Sequence, residues 1–166
     1  MKQNYNFLKN LEENVNDLIR SEYYNINYEI KHKKNSLRKI LTNNKFVSII
    51  TEVKFSSPSQ GKIRNIEEVN NIVNSMEKGG ASGISVLTQP YSFEGSLENL
   101  SNTRKTTNLP ILMKDIIIDK IQINAAKKLG ADVILLIEKC FKNKSDELDD
   151  LIKYAHNKNI EILLEE

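Results

Sequence analysis

The sequence has very few of the residues that build metal sites and disulfide frameworks. Its 166 residues include one cysteine, two histidines and no tryptophan. With Cys140 as the only cysteine, an intrachain disulfide and a cysteine-based metal cluster are both impossible. His32 and His156 lie far apart in the sequence, and neither belongs to a metal-ligand motif. We therefore predict a metal-free protein, and the cytoplasm is its expected compartment.

Long apolar runs and an excess of one charge are also missing. The longest unbroken aliphatic run covers residues 133–137, far short of the ~20 residues that a membrane span needs. The first ten residues lack the apolar core of a secretory signal. Lysine and arginine number 24 and aspartate and glutamate 22, which gives a net charge of +2. We expect no membrane partner and no obligatory nucleic-acid partner, and we interpret the basic cluster at residues 31–34 as a solvated helix end.

Two parts of the chain differ in their pattern of apolar residues. Residues 1–45 are predicted to form an N-terminal helical extension, peripheral to the rest, with a second short helix at 36–41. Its first helix is predicted from apolar residues at helical spacing, namely Phe7, Leu8, Leu11, Val15, Leu18 and Ile19. From residue 46 onward, short β-branched runs alternate with helical segments.

This alternation predicts a parallel sheet covered by helices. The predicted strands cover residues 46–50, 83–87, 110–113, 133–137 and 160–164, and the helices cover 67–78, 96–106, 119–129 and 145–156. Ser96 and Asp119 are predicted N-caps, and the glycines at 79–80 and 130 are predicted at helix C-termini.

The spacing of the strands favours a barrel. Eight such units would fill the roughly 250 residues of a (β/α)8 TIM barrel, and residues 46–166 contain five of them. An open doubly wound sheet fits the same strand count, but a glycine-rich phosphate loop typically follows its first strand. Residues 52–59 contain no such loop.

Charged residues stand at the ends of the first, third and fifth predicted strands. Glu52 and Lys54 share one face of the first strand, since residues two apart point the same way. Lys114 ends the third strand and Glu165 the fifth. Catalytic groups of parallel barrels occupy the C-terminal ends of the strands, at the opening that we call the mouth. We therefore predict that these four side chains converge on one mouth. The structural alternative is a set of ion pairs that cap the core.

A lysine and a glutamate in a partly desolvated site form a proton donor and acceptor. Burial lowers the pKa of a lysine and raises that of a glutamate, which brings both toward neutrality. Two neighbouring lysines could also bind anionic groups, and one could form a Schiff base. Asp115 and Glu166 are one residue out of phase with Lys114 and Glu165, so we expect them to lie outside the inward-facing set.

The chain resembles indole-3-glycerol phosphate synthases. Residues 50–61 resemble the first-strand signature of that family, approximately E-x-K-x-x-S-P-S-x-G, which runs here from Glu52 to Gly61. Further motifs match in order at residues 79–81, 84–88, 93–96, 109–115, 118–119, 122, 130–132 and 134–137. The N-terminal helical extension is also typical of the family, so the resemblance covers essentially the whole chain.

The resemblance implies a (β/α)8 barrel enzyme of tryptophan biosynthesis, a carbon–carbon lyase (carboxy-lyase) that needs no cofactor. Its substrate is 1-(2-carboxyphenylamino)-1-deoxyribulose 5-phosphate, which undergoes ring closure, decarboxylation and dehydration. Carried over by motif, Lys114 resembles the general acid, and Lys54 resembles the lysine that contacts the substrate carboxylate. Glu165 resembles the general base of the dehydration, and Glu52 the residue that orients and charges the site.

The substrate pocket is also implied by the resemblance. Ser57, Phe93 and Leu135 are expected to contact the substrate. Two positions depart from the family pattern. Ile116 stands where a phenylalanine is usual, which removes an aromatic wall from the pocket. Phe55 stands where a basic residue is common, and we expect it on the outward face.

The phosphate-binding loops of the family follow later strands than the five found here. We therefore expect a partial sequence, truncated after strand 5. Its partners would be a phosphorylated small molecule and the missing strands 6–8, supplied by the same polypeptide or by self-association. One alternative is a non-catalytic half-barrel that acts as an oligomeric or interaction module. Another is a different phosphate-sugar barrel enzyme, an isomerase or a Schiff-base aldolase, which the first-strand pattern disfavours.

Overall fold

The computed structural model describes residues 2–43, 46–63, 68–142 and 144–166. Its helices are α1 (Lys2–Arg20), α2 (Leu37–Asn43), α3 (Val69–Lys78), α4 (Pro90–Phe93), α5 (Leu97–Thr106), α6 (Lys120–Leu129) and α7 (Ser145–Asn157), with a 3-10 helix at Glu138–Phe141. Its strands are β1 (Ile50–Val53), β2 (Ser56–Ser57), β3 (Gly61–Lys62), β4 (Gly83–Leu87), β5 (Ile111–Lys114), β6 (Val133–Ile137) and β7 (Glu161–Glu165). The predicted helix start at residue 67 lies outside the described residues. Among the described helices, none is both long enough and apolar enough to cross a membrane.

Five strands form a parallel sheet in the order β1-β4-β5-β6-β7. This confirms the predicted α/β class and parallel sheet. Because the strands of this sheet follow one another in space in the same order as in the chain, the order never reverses, whereas a doubly wound sheet reverses at its switch point. Strands β2 and β3 form a separate small antiparallel hairpin after β1, which the sequence pattern did not predict.

Strand β1 begins later than predicted. The apolar run at residues 46–50 suggested a strand there, but Phe46 and Val47 are 84% and 90% exposed. Pairing with β4 decides the boundary, since the ladder starts with Ile50 opposite Gly83. The prediction for residues 46–49 is therefore wrong, and Glu52 lies within β1 rather than after it.

The two faces of the sheet belong to two apolar clusters. One cluster lies between the sheet and α3, α5, α6 and α7, and its strand members are Val53, Ile84, Val86, Ile111, Met113, Ile134 and Leu136. The other, which we call the inner cluster, contains the strand residues Leu112, Val133, Leu135 and Ile137. Residues of the two clusters alternate along β5 and β6, as expected for strands buried on both faces.

The N-terminal helices contact the inner cluster, so this segment is less peripheral than its sequence suggested. Leu11 and Val15 of α1 pack there together with Ile116, which follows the C-terminal end of β5. Leu37 of α2 lies at the opposite, N-terminal end of the strands, where its Cδ1 would be 2.9 Å from a Cβ at Gly83. The extension therefore runs from one end of the sheet to the other.

Several helix ends are capped by the residues that the sequence predicted. The Ser96 hydroxyl accepts a hydrogen bond from the Asn99 amide at 3.0 Å. Asp119 and Gln122 form a reciprocal capping box at the start of α6, directly after β5. Gly130 ends α6 with a φ of +88°, a left-handed conformation that favours glycine. These three predicted capping positions are confirmed.

Candidate active site

Three of the four predicted catalytic side chains meet at the C-terminal ends of β1 and β5. Lys114 Nζ lies 2.9 Å from Glu52 Oε2, and Lys54 Nζ lies 3.4 Å from Glu52 Oε1. Strand β4 lies between β1 and β5, and the Ser85 hydroxyl donates to Glu52 Oε2 at 3.3 Å. Glu52 pairs in register with Ser85, and Ser85 with Leu112 of the inner cluster. The group therefore lies on the inner face of the sheet.

Glu52 does not behave as burial alone would predict. Burial raises the pKa of the Glu52 carboxyl, but the hydrogen bond and charge of Lys114 and the charge of Lys54 outweigh it, so the net pKa is lowered. The expectation that the pKa of this glutamate moves toward neutrality is therefore wrong. The three side chains are 27–40% exposed, so solvent screens their attraction only in part. Glu52 is thus a carboxylate that holds both ammonium groups at the mouth.

Glu165 lies apart from this group. It is the last residue of β7, two strands from β5, and it is exposed. It pairs in register with Ile137, a member of the inner cluster, so it belongs to the inner face. Among the described residues it forms no hydrogen bond or ion pair with Glu52 or the two lysines. Its charge acts on the Cys140 thiol, whose pKa is raised to about 12 by burial, then by Glu12 and Glu165.

The three predicted substrate contacts lie in three different elements. The Ser57 hydroxyl accepts from the Gln60 amide at 3.2 Å, which places it in the turn of the β2–β3 hairpin. Phe93 ends α4 and packs, half-buried, against the inner cluster. Leu135 is a buried member of that cluster on β6.

The two departures from the family pattern have different surroundings. Ile116 is buried in the inner cluster, two residues after Lys114. Phe55 is 1% exposed and packs in the cluster on the helix-covered side of the sheet. An apolar residue suits that position, which agrees with the outward placement expected for Phe55.

The loop that carries Phe93 is held by Gln89, which the sequence analysis did not single out, and by Gly95, which lies in the matched motif at residues 93–96. The Gln89 side-chain oxygen accepts from the Ser92 amide at 2.8 Å and caps α4. The Gly95 amide then donates to the Gln89 carbonyl at 3.1 Å. A Cβ at Gly95 would collide with the backbone carbonyl of Leu87. The available sequence signal was Gln89, a helix cap one turn before the aromatic Phe93. Because α4 has four residues, it is too short to show the helical periodicity that would have predicted it.

Asp115 was predicted not to face inward with Lys114, and its carboxylate forms hydrogen bonds with residues other than Glu52. It accepts from the Thr88 hydroxyl at 2.6 Å, the Tyr24 hydroxyl at 3.0 Å and the Ile116 amide at 2.8 Å. Burial raises its pKa to about 6, although each of these hydrogen bonds lowers it. Tyr24 was missed at the level of sequence, because nothing in an asparagine-rich connector indicates a partner 91 residues away.

Comparison with known proteins shows the family to which the chain is similar. The sequence profile of indole-3-glycerol phosphate synthase matches residues 3–166. A relative of that name from Methanocaldococcus jannaschii is 45% identical over 119 residues, covering 70% of this chain and 43% of its own length. One from Methanopyrus kandleri is 43% identical and covers 78% and 50%. One from Campylobacter fetus subsp. fetus is 39% identical and covers 95% and 59%.

A solved structure supports the fold alone. The crystal structure of methylornithine synthase (PylB) aligns with a TM-score of 0.52 at 13% identity, over 87% of this chain and 57% of that one. The chain spans about half the length of the curated relatives it matches. The match of the family profile along nearly the whole sequence, joined to relatives at 39–46% identity, is decisive. The chain belongs to the indole-3-glycerol phosphate synthase family.

Proposed function

We propose that the protein carrying this chain converts 1-(2-carboxyphenylamino)-1-deoxyribulose 5-phosphate to indole-3-glycerol phosphate in tryptophan biosynthesis. The single observation that supports this most is the meeting of Glu52, Lys54 and Lys114 at the C-terminal ends of β1 and β5. The reaction forms a ring carbon–carbon bond, releases carbon dioxide and eliminates water. It requires a proton donor, a cationic contact for a carboxylate and a base, and it requires no cofactor.

Lys114 is the proposed general acid, which protonates the substrate carbonyl as the ring closes. Glu52 Oε2 lies 2.9 Å from its ammonium and orients it, with the Ser85 hydroxyl on the same oxygen. Lys54, on the other carboxylate oxygen, is the proposed contact for the substrate carboxylate. Two cations around one carboxylate leave a net positive mouth, which favours an anionic substrate.

Glu165 is the proposed base of the dehydration. Its register with Ile137 puts it on the face that holds Leu135, although it lies two strands from Lys114. Bound substrate would occupy the space between them, with Ser57, Phe93 and Leu135 as its contacts. Separation of acid and base suits this reaction, because the two act at different atoms in different steps.

The five-stranded sheet is proposed to be part of a (β/α)8 barrel. Strands β1 and β7 are its two edges, and Leu163 and Leu164 on β7 are 42% and 44% exposed. Further strands from the same polypeptide would cover these edges and supply the phosphate-binding loops usual in such barrels. Self-association is the other way to cover them. A cytoplasmic location stays a prediction.

The test is turnover by the complete protein, with the substrate as sole reactant and indole-3-glycerol phosphate and carbon dioxide quantified. Equimolar formation of both products is expected. A folded protein that forms neither would contradict the proposal and favour a non-catalytic interaction module. Borohydride trapping of a substrate adduct at Lys54 or Lys114 would instead indicate Schiff-base chemistry.

Ile116→Phe is expected to leave the KM of the substrate unchanged or to lower it. The ring restores an aromatic wall beside the inner cluster, where it can stack on the anthranilate part of the substrate. Steady-state kinetics on the complete protein measure this, with Ile121→Phe as control, since Ile121 packs on the helix-covered side of the sheet. A severalfold rise in KM for Ile116→Phe alone would mean that the pocket is built around isoleucine.

A further inference from the structure

A buried hydrogen-bonded group connects the N-terminal extension to the strand end that carries Lys114. Its members are Tyr24, Thr88 and Asp115, which are 1%, 0% and 3% exposed. We propose that Tyr24 is a positioning residue for Lys114, acting through Asp115. This inference rests on the proposed function, because it assigns Tyr24 a part in that reaction.

The first step is the contact of Tyr24 with Asp115. The tyrosine hydroxyl donates to Asp115 Oδ2 at 3.0 Å, and the Thr88 hydroxyl donates to the same oxygen at 2.6 Å. Burial, with the charge of Asp115, raises the pKa of Tyr24, so its hydroxyl remains protonated and remains a donor. Removing one of two donors to a buried carboxylate leaves that oxygen poorly satisfied.

The second step is the contact of this group with the backbone on both sides of Lys114. Asp115 Oδ1 accepts from the Ile116 amide at 2.8 Å, which fixes the turn after β5. The Thr88 amide donates to the Lys114 carbonyl at 3.2 Å, which joins β5 to β4 at the same level. Thr88 thus contacts Asp115 through its hydroxyl and Lys114 through its backbone.

The third step is the weak restraint on the Lys114 side chain itself. It is 40% exposed, and among the residues that the structure describes its ammonium forms one ion pair, with Glu52. A long, exposed side chain with one anchor follows its backbone, so a shift of Asp115 displaces Nζ from Glu52. Misplacement of a reacting group by ~1 Å can cost about 10²-fold in rate.

A neighbouring tyrosine, Tyr23, contacts the backbone of Thr88 just after β4. The Tyr23 hydroxyl donates to the Thr88 carbonyl at 3.0 Å and accepts from the Leu97 amide at 3.0 Å. Tyr23 therefore connects β4 to α5, whereas Tyr24 alone among the two tyrosines reaches the residue next to Lys114. The assignment to Tyr24 follows from this difference.

The experiment compares Tyr24→Phe with wild type in the complete protein. We expect kcat to fall about tenfold while KM stays within twofold, since Tyr24 is buried and its hydroxyl bonds to Asp115. Thr88→Val should act in the same direction, and Thr88→Ser, which keeps the donor, should retain wild-type kcat. Tyr154→Phe is the matched control, because it removes a hydroxyl bonded at 2.9 Å to Asn124, between α7 and α6 and away from the mouth.

A second measurement reports on Lys114 without turnover. In protein labelled with [13C]lysine, the Lys114 Cε resonance, assigned by its loss in Lys114→Arg, should shift in Tyr24→Phe and not in Tyr154→Phe. Equal kcat and an unmoved resonance in Tyr24→Phe would overturn the proposal. If the wild-type protein does not turn over the substrate, the proposed function fails separately. The resonance alone then decides whether Tyr24 positions Lys114.

Discussion

Replacing Lys114 with alanine in the complete protein is expected to lower kcat by a factor of about 10² to 10⁴, the usual contribution of a general acid. The expected loss is large because the lysine stands at the mouth, 2.9 Å from the carboxylate that orients it. Glu52 would keep Lys54 as its charge partner at 3.4 Å, so the site would stay folded while losing its proposed acid. Steady-state turnover, with the thermal midpoint of unfolding measured in parallel, separates these effects.

Lys120→Ala is the matched control for that experiment. It also removes a lysine from an ion pair with a carboxylate, here Asp150 at 2.5 Å, but on α6 at the surface. Its kcat should equal that of wild type, because an exposed pair contributes little and Lys120 lies on α6, away from Glu52 and Lys54. Wild-type turnover in Lys114→Ala would show that Lys114 is not the acid and would move that role to Lys54.

Asp132→Ala is expected to lower the free energy of unfolding by about 3–5 kcal/mol, the typical cost of removing one partner from a buried ion pair. The side chain of Asp132 is 0% exposed and that of Arg104 is 1% exposed, with Nη1 and Oδ2 3.0 Å apart. The same carboxylate accepts from the amides of Asn35 at 2.9 Å and Ile111 at 3.1 Å. Its loss would leave the buried guanidinium without its carboxylate partner and remove the hydrogen bond that Asp132 accepts from the Asn35 amide of the extension.

Denaturant unfolding of the complete protein measures this change, and Asp150→Ala is its control. Asp150 also pairs with a basic side chain, but both partners are roughly half exposed, so a loss below about 1 kcal/mol is expected. Asp132→Asn serves as a milder second variant, since it keeps the size of the side chain. Equal stability losses in Asp132→Ala and Asp150→Ala would contradict the stabilising role assigned to the buried ion pair of Asp132 and Arg104.

Local patterns predicted the elements that depend on local chemistry. Strands β4 and β6 coincide with the apolar runs that predicted them. The caps at Ser96 and Asp119 form as their residue types suggested. Both are short-range effects: a cap needs only the amides of the next turn, and a strand buried on both faces needs a continuous apolar run. The start of β1 was misplaced because its boundary depends on β4, more than thirty positions along the chain.

The sequence by itself determined the alternation of strands and helices, the phase that puts Glu52, Lys54 and Lys114 on one face, and the resemblance that identifies the family. These follow from side-chain periodicity and motif spacing, which need no knowledge of distant contacts. Only the tertiary structure decided the direction of the Glu52 pKa shift, because Lys114, 62 positions away, contributes with Lys54 to lowering the pKa that burial raises. It also decided that Tyr24 reaches Asp115, since a hydrogen bond between a connector and a strand end exists only once the chain has folded.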